Sequence, residues 1–251
     1  MKKLVSVVLA VLLCMTLTTS GAAAGNWLFS FTPAPAFQTA VTGYSDNTAE
    51  TLEIPERYYP DDSTKQAIVD VLNAASAIGR IGAAAMAQAV ANGAGLPVTA
   101  IGNHAFDNFT NLTFAFIPEG VTSIGDYAFF RCYVLETVNI PQGVTSIGFG
   151  AFASCTNLRD VTLPDSLTTI GQSAFEACHN NLTHMDIPPS VTTIEYAAFS
   201  GCRAMEWIRI PDSVQFIGEY AFYDCQAVMY THKQYAIDYA ESHGIAWQYA
   251  D

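Results

Sequence analysis

Hydrophobic and polar positions recur with a period of about 23 residues through the second half of the chain. The unit opens with Val-Thr-x-Ile-Gly-x-x-Ala-Phe, with small changes, at Val98, Val121, Val144, Leu167, Val191 and Val214. Successive copies are separated by 23, 23, 23, 24 and 23 residues. Each full unit closes with an apolar residue, two variable residues and then apolar-x-apolar-Pro, as in the stretch from Leu135 to Pro141. Six copies in register indicate a repeat architecture.

The spacing and the closing stretch together predict a leucine-rich-repeat solenoid. A period of about 20–29 residues with apolar-x-x-apolar-x-apolar is the signature of that fold. A coil of this length cannot bury its own apolar side chains, so successive coils must stack. The closing stretch alternates with period two, which predicts one short strand per repeat, paired in parallel with its neighbours. Proline ends each strand because it cannot donate to the ladder, at Pro118, Pro141, Pro164, Pro188 and Pro211.

Two apolar columns are predicted to fill the core. The aromatic column comprises Phe106, Phe129, Phe152, Phe175, Phe199 and Phe222, and the aliphatic column comprises Ile101, Ile124, Ile147, Ile170, Ile194 and Ile217. A glycine follows each isoleucine, where a side chain would clash or φ is positive, except at Glu195, which predicts a different turn in the fifth copy. The extra residue of the fourth unit lies between Cys178 and Leu182, where we expect a local bulge with the strand register intact.

The repeat resembles the BspA-type leucine-rich repeats of bacterial surface and secreted proteins. Their motif IPxxVTxIGxxAFxxC is reproduced from Ile140 to Cys155, and the stretch from Tyr230 to Tyr249 is similar to the closing helix and strand of that family. The likeness covers residues 96–250, about 60% of the chain. It implies an extracellular binding or adhesion module without catalytic residues, and it transfers no site residues because the family has no fixed binding motif.

The N-terminus predicts a signal peptide over residues 1–24. Lys2 and Lys3 form a positive region, an apolar run follows, and three alanines before Gly25 suit cleavage after Ala24. A lipoprotein signal at Cys14 ranks lower, because the residue before it is Leu13 rather than a small residue. Export to the medium or the cell surface is therefore expected.

The remaining segments flank the predicted solenoid, residues 96–228. Residues 25–60 carry prolines and polar residues and predict a loosely ordered arm, in which the Leu52–Pro55 stretch is at most a degenerate or edge strand. Residues 61–95 predict a helical cap, because a solenoid exposes the core of its first coil unless something covers it. Residues 229–251 predict a closing cap of a short helix and a strand.

Charge limits the partners. Removal of residues 1–24 takes away two of the 10 basic residues and none of the 23 acidic residues, so the net charge becomes 8 − 23 = −15. Such a surface repels nucleic acids and anionic lipid headgroups. The one later apolar stretch, Ile78 to Ala91, is too short to span a membrane. No nucleic-acid partner and no transmembrane span after signal removal are expected, and the oligomeric state stays open.

The sequence predicts neither a catalytic site nor a cofactor or metal site. Five cysteines occupy one slot of successive repeats, at Cys132, Cys155, Cys178, Cys202 and Cys225. The first repeat carries Phe109 in that slot, so buried thiols are favoured over disulfides, and a line of sulfurs does not converge on a zinc ion. His184, with Asp160 on the previous strand and Asp186 two residues on, is the one candidate base, but no nucleophile accompanies it.

The outward positions of the predicted strands form the candidate partner-binding face. They are Phe114, Phe116, Thr137, Asn139, Asp160, Thr162, His184, Asp186, Trp207 and Arg209. The aromatic residues are typical interface anchors, although the N-terminal arm could instead fold over Phe114 and Phe116. We expect a binding or adhesion module that recognises a protein or a glycan through this face. The alternative is a structural surface component or assembly subunit without a soluble ligand.

Overall fold

A computed structural model describes residues 17–20, 27–32, 38–44, 50–53, 57–58 and 96–250 of the 251-residue chain. The strands in these residues are β1 (Leu17–Ser20), β2 (Trp27–Thr32), β3 (Gln38–Tyr44), β4 (Thr51–Glu53), β5 (Arg57–Tyr58), β6 (Leu96–Ile101), β7 (Phe114–Phe116), β8 (Ser123–Ile124), β9 (Thr137–Asn139), β10 (Ser146–Ile147), β11 (Asp160–Thr162), β12 (Thr169–Ile170), β13 (His184–Asp186), β14 (Thr193–Ile194), β15 (Trp207–Arg209), β16 (Phe216–Ile217), β17 (Val228–Tyr230) and β18 (Trp247–Gln248). The helix α1 (Gln234–Ser242) lies between β17 and β18.

The chain forms two compact units, one drawn from residues 1–45 and 55–100 and the other from residues 46–54 and 101–251. In the first unit, β1, β2 and β3 pair antiparallel in that order, and β5 pairs antiparallel with β6. The structure thus places strands in the segment where a loosely ordered arm was expected. The predicted cleavage after Ala24 and the predicted helical cap at residues 61–95 lie outside the described residues.

The second unit confirms the predicted solenoid of parallel strands at a spacing of about 23 residues. The central residues of β7, β9, β13, β15 and β17 are buried, and each of these strands pairs in register with the strand of an adjacent repeat, as Thr137 pairs with Phe114. The structure adds a second strand of two residues to the second and later repeats, which the sequence did not predict. These strands form the parallel order β8-β10-β12-β14-β16.

Both predicted core columns are confirmed. The six phenylalanines of the aromatic column are at most 4% exposed, and so are the six isoleucines of the aliphatic column. From Phe129 to Phe222 successive rings stack with centroids 5.3–5.5 Å apart and planes within 9° of parallel. Stacking at the repeat distance lets each ring bury both faces, which no single coil could achieve.

At Gly148 and Gly171 the position after the isoleucine is restricted by close approach of the preceding coil rather than by a positive φ. A Cβ at Gly171 would overlap the carbonyl oxygen of Ile147 in the preceding coil, and a Cβ at Gly148 would lie 2.8 Å from the backbone nitrogen of Asp126. The prediction of a different turn at Glu195 is wrong. Its N–H donates to the Ile170 carbonyl at 3.0 Å, as that of Gly171 donates to Ile147 at 3.1 Å.

Each repeat turns through two residues in the left-handed region. In the third repeat these are Gly150 and Ser154, with φ of 58° and 62°, and ten residues with a positive φ in the solenoid turns are not glycine. The N–H of Ser154 donates to the Glu176 carbonyl of the next coil at 2.7 Å. The left-handed conformation aims these N–H groups along the solenoid axis, and the bonds offset its steric cost.

The three-residue strands do not form one continuous sheet. They form two sheets, in the orders β4-β7-β9-β11 and β13-β15-β17-β18. The break coincides with the extra residue of the fourth unit, where Asn180 N–H donates to the Thr156 carbonyl at 3.0 Å and the Asn181 side chain donates to the Asn157 carbonyl. The prediction of an intact register is therefore wrong for the three-residue strands, since β11 and β13 do not pair, and right for the two-residue strands, since β12 and β14 pair in register.

A helix and a strand close the C-terminal end, as the sequence predicted. Ala236, Ile237, Tyr239 and Ala240 of α1 are buried. The ring of Tyr239 meets that of Phe222, the last of the aromatic column, edge to face at 6.1 Å. The following strand, β18, pairs in parallel with β17. The cap thus covers the apolar end of the core.

Candidate functional site

The strand face is the set of outward side chains on β7, β9, β11, β13 and β15, and the structure places all ten predicted residues on these strands. The central residues Ala115, Val138, Met185 and Ile208 are at most 2% exposed. Their neighbours on each strand point the other way because side chains alternate along a strand. The strands that carry this face belong to two sheets, with β7, β9 and β11 in one and β13 and β15 in the other.

The N-terminal part of the face begins at β4 rather than at β7. Thr51 pairs with Phe114, and Glu53 pairs with Phe116, in a parallel register. The N–H of Thr113 and its hydroxyl both donate to the Glu50 carbonyl, at 2.8 and 2.9 Å. This segment of the arm therefore lies beside Phe114 and Phe116, and Phe116 stays 46% exposed.

Asn139 is committed to the scaffold. Its side-chain oxygen accepts the Ile117 N–H at 2.7 Å, and its side-chain nitrogen donates to the Ile117 carbonyl at 3.0 Å. These two bonds from the Asn139 side chain take the place of main-chain hydrogen bonds between neighbouring coils. Asn139 is half-buried, and it contributes to the stability of the face more than to its chemistry.

The predicted proximity of His184 to Asp160 across adjacent strands is not supported by the strand pairing. Asp160 pairs with Thr137 in the first sheet, and His184 pairs with Trp207 in the second. The hydroxyl of Thr183, not a carboxylate, lies 3.0 Å from His184 Nδ1. Thr162, in the same strand as Asp160, is exposed.

Four predicted residues come together on β13 and β15 as the aromatic–charged cluster, which comprises His184, Asp186, Trp207 and Arg209. The rings of His184 and Trp207 stack at 5.0 Å with planes 23° apart. The Arg209 guanidinium lies 5.7 Å from the Trp207 ring centroid and 2.7 Å from an Asp186 carboxylate oxygen. Trp207 is half-buried, and the other three are exposed. The contacts hold an indole, a guanidinium and a carboxylate in fixed relative positions at the surface.

Sequence reasoning missed the continuation of this face. Val228 pairs with Trp207 and Tyr230 with Arg209 on β17, and Gln248 of β18 pairs with Tyr230. The alternation of the Val228–Tyr230 stretch was the available signal, but it falls 21 rather than 23 residues after the preceding strand. The cluster is thus flanked by a phenol and an amide on its C-terminal side.

The cysteine column is free of disulfides. Cys132, Cys155, Cys178 and Cys202 are fully buried, and Cys225 is partly exposed. Each thiol donates to a phenylalanine carbonyl of the preceding coil, as Cys155 does to Phe129 at 3.1 Å. Burial raises the pKa of Cys178 to about 12, whereas a hydrogen bond from Cys202 lowers the pKa of Cys225. The expectation of five buried thiols is therefore wrong at the last position, where no further repeat covers the sulfur.

Within the described residues, no three histidine, cysteine or acidic side chains converge in a way that could hold a metal ion. Nor does any helix found in that part of the chain have the length and hydrophobicity to cross a bilayer.

Comparison with known proteins identifies the repeats. The family model of the BspA type leucine-rich repeat region matches six copies over residues 99–229, just over half of the chain. The crystal structure of a T. pallidum leucine-rich-repeat protein is 18% identical, with a TM-score of 0.56 over 92% of this chain and 99% of that chain. One from Bacteroides ovatus is 22% identical, with a TM-score of 0.54 over 82% of this chain and 57% of that chain. These likenesses show the fold, and no curated protein sequence matches.

Proposed function

Because this chain belongs to the family of BspA-type leucine-rich-repeat proteins, we propose that it is an exported, non-catalytic binding module that recognises a protein or a glycan through its strand face. The family consists typically of bacterial cell-surface proteins whose repeats serve binding or structural roles. Export would follow from the predicted signal peptide, residues 1–24.

The observation that carries the proposal is the aromatic–charged cluster. Trp207 is stacked on His184, and Arg209 is held by Asp186. Side chains held in place before binding lose less conformational freedom when a ligand arrives. Tryptophan and arginine are also the side chains most enriched among residues that dominate binding energy.

The test is calorimetric titration of extracellular matrix proteins and glycans into the mature protein. Once a partner is found, Trp207→Ala combined with Arg209→Ala should weaken binding at least tenfold, in line with the cost of losing one dominant contact. Arg209→Ala alone should hardly change the thermal midpoint, because the Arg209–Asp186 pair is more than half exposed and such pairs contribute little to stability, so it separates lost binding from lost stability.

The matched control lies in the column Thr122, Thr145, Thr168 and Thr192. The N–H and the hydroxyl of Thr145 both donate to the Thr122 carbonyl, at 3.0 and 3.3 Å. Thr145→Ser keeps the hydroxyl and should leave binding unchanged. Normal binding by the double variant together with loss of binding in Thr145→Ser would move the site to the threonine column and refute the proposal. No binding to any protein or glycan would favour the structural role.

A further inference from the structure

Three tyrosines in the turns after β14 and β16 form an exposed aromatic surface, here called the tyrosine patch. The rings of Tyr196 and Tyr220 meet edge to face at 5.6 Å, and those of Tyr220 and Tyr223 at 5.8 Å. Their side chains are 44%, 43% and 65% exposed, respectively. Trp207, the anchor of the strand face, is less exposed than any of them. The tyrosine patch belongs to a different part of the repeat and is not used by the proposed function.

The third, fourth and fifth repeats carry no aromatic residue at the positions of Tyr220 and Tyr223. The first position holds Gly150, Ser173 and Ala197 and the second holds Ala153, Glu176 and Ser200, whereas Tyr127 and Phe130 occupy both positions in the second repeat. With roughly 200 Å² per aromatic side chain, the three exposed fractions correspond to about 300 Å² of accessible aromatic surface. A contiguous patch of that size on a monomer often serves in binding.

The charge beside the patch is negative. The carboxylate of Glu219 adjoins Tyr220, and its negative charge is the largest cause of the raised pKa of that phenol. Arg203 donates to Asp224 at 2.7 Å, so its charge is already compensated. The whole chain carries a net charge of −13. Aromatic ring faces attract cations electrostatically, and a neighbouring carboxylate adds to that attraction.

We propose that the tyrosine patch, together with Glu219, is a second interaction surface that binds a lysine- or arginine-rich segment of a partner protein. The cationic side chains stack on the exposed tyrosine rings, and one of them pairs with Glu219. Charge complementarity selects this occupant, because an acidic or purely apolar segment would gain nothing from Glu219 or from the net charge of the chain.

The test uses fluorescence anisotropy of a labelled hexa-arginine peptide against the mature protein at about 150 mM salt, where long-range attraction is screened. Tyr220→Ala and Tyr223→Ala should each weaken binding about two- to fivefold, the range for one exposed cation–π contact. Tyr220→Phe keeps the ring and should bind as the parent does. Glu219→Gln should weaken binding and reduce its dependence on salt.

Tyr133→Ala is the matched control, since Tyr133 is 41% exposed, carries no charge change and lies outside the patch. Equal losses in Tyr133→Ala and Tyr223→Ala, with unchanged thermal midpoints, would show diffuse attraction to an acidic protein and overturn the proposal. Unchanged affinity in both patch variants would overturn it as well. Trp207→Ala should leave this peptide's affinity intact, so the result is independent of the strand-face proposal.

Discussion

Replacing Phe152 by alanine tests whether the aromatic column holds the solenoid together. Phe152 is 0% exposed, and its ring is stacked between those of Phe129 and Phe175 at 5.3 and 5.4 Å. The Phe152 ring therefore fills the space between the rings of Phe129 and Phe175, and its removal leaves a cavity between them.

The expected loss lies at the upper end of the range for such substitutions. Removing a buried phenylalanine costs about 3–5 kcal/mol, and the cost rises with the volume of the cavity that remains. The Phe152 N–H donates to the Ala174 carbonyl at 2.8 Å, and the Phe129 N–H donates to the Ala151 carbonyl at 2.7 Å. These bonds fix the distance between coils, so the cavity cannot collapse. Phe152→Leu should lose less, on the order of 1–2 kcal/mol.

Urea titration followed by circular dichroism measures the free energy of unfolding. Phe222→Ala is the matched variant, because Phe222 is stacked on only one side, by Phe199 at 5.5 Å, and is 4% exposed. It should lose less stability than Phe152→Ala. A loss below about 1 kcal/mol at Phe152, outside the range for buried aromatics, would refute the role of the column, and so would a larger loss at Phe222.

Two further predictions concern the turns and the thiols. Gly171→Ala should lower the free energy of unfolding in urea titration more than Gly201→Ala does. A Cβ at Gly171 would meet backbone atoms of the preceding coil, whereas a Cβ at Gly201 would lie 3.6 Å from its nearest neighbour. Gly201→Ala should therefore cost only about 1 kcal/mol, for the left-handed conformation at φ +75°, and equal losses would contradict this. Under native, reductant-free conditions an alkylating reagent followed by mass spectrometry should modify Cys225 before Cys178, because the thiolate reacts and its pKa is lowered at Cys225 but raised to about 12 at Cys178. The unfolded mature protein should take up five equivalents, and fewer would reveal disulfides.

The core could be predicted from the sequence because stacking imposes the same inward shape on every coil. A position that faces inward in one repeat faces inward in the next, so Phe106 and Phe199, which are 93 residues apart, share an environment. The repeat period therefore reports burial directly. The same logic identified the outward residues of each strand.

The strand β4 shows where reasoning from the period fails. The Leu52–Pro55 stretch lies 63 residues before the matching Ile117 stretch, which is not a multiple of 23. In a full repeat, the last strand residue and the residue two before the next opening valine are 3 residues apart, as are Asn139 and Gln142. The equivalent residues at the start of the solenoid, Glu53 and Leu96, are 43 residues apart, so 40 additional residues are inserted there. Strand pairing depends on where the ends of an insertion meet, not on its length. Thr51 accordingly pairs with Phe114.

Details of the site depended on backbone geometry that no side-chain pattern encodes. The single extra residue near Asn180 divides the three-residue strands into two sheets. The two hydrogen bonds from Asn139 to Ile117 withdraw a predicted contact residue from the face. The extra residue shows in the sequence as a spacing of 24 rather than 23 residues, but its effect on strand pairing does not, and the hydrogen bonds of Asn139 leave the periodicity unchanged.

The uniform threonine column and the varied strand face have opposite physical origins. Thr145, Thr168 and Thr192 recur because each hydroxyl donates to the carbonyl of the preceding threonine, at 3.2–3.4 Å, so the column is a structural ladder. The outward residues on β13 and β15 make their contacts with one another through side chains, as Arg209 does with Asp186. Such contacts leave the main-chain ladder unaffected, so these positions can differ between repeats without loss of the fold. A repeat protein acquires binding specificity at positions of this kind, which is why the aromatic–charged cluster, rather than the threonine ladder, is the expected point of ligand contact.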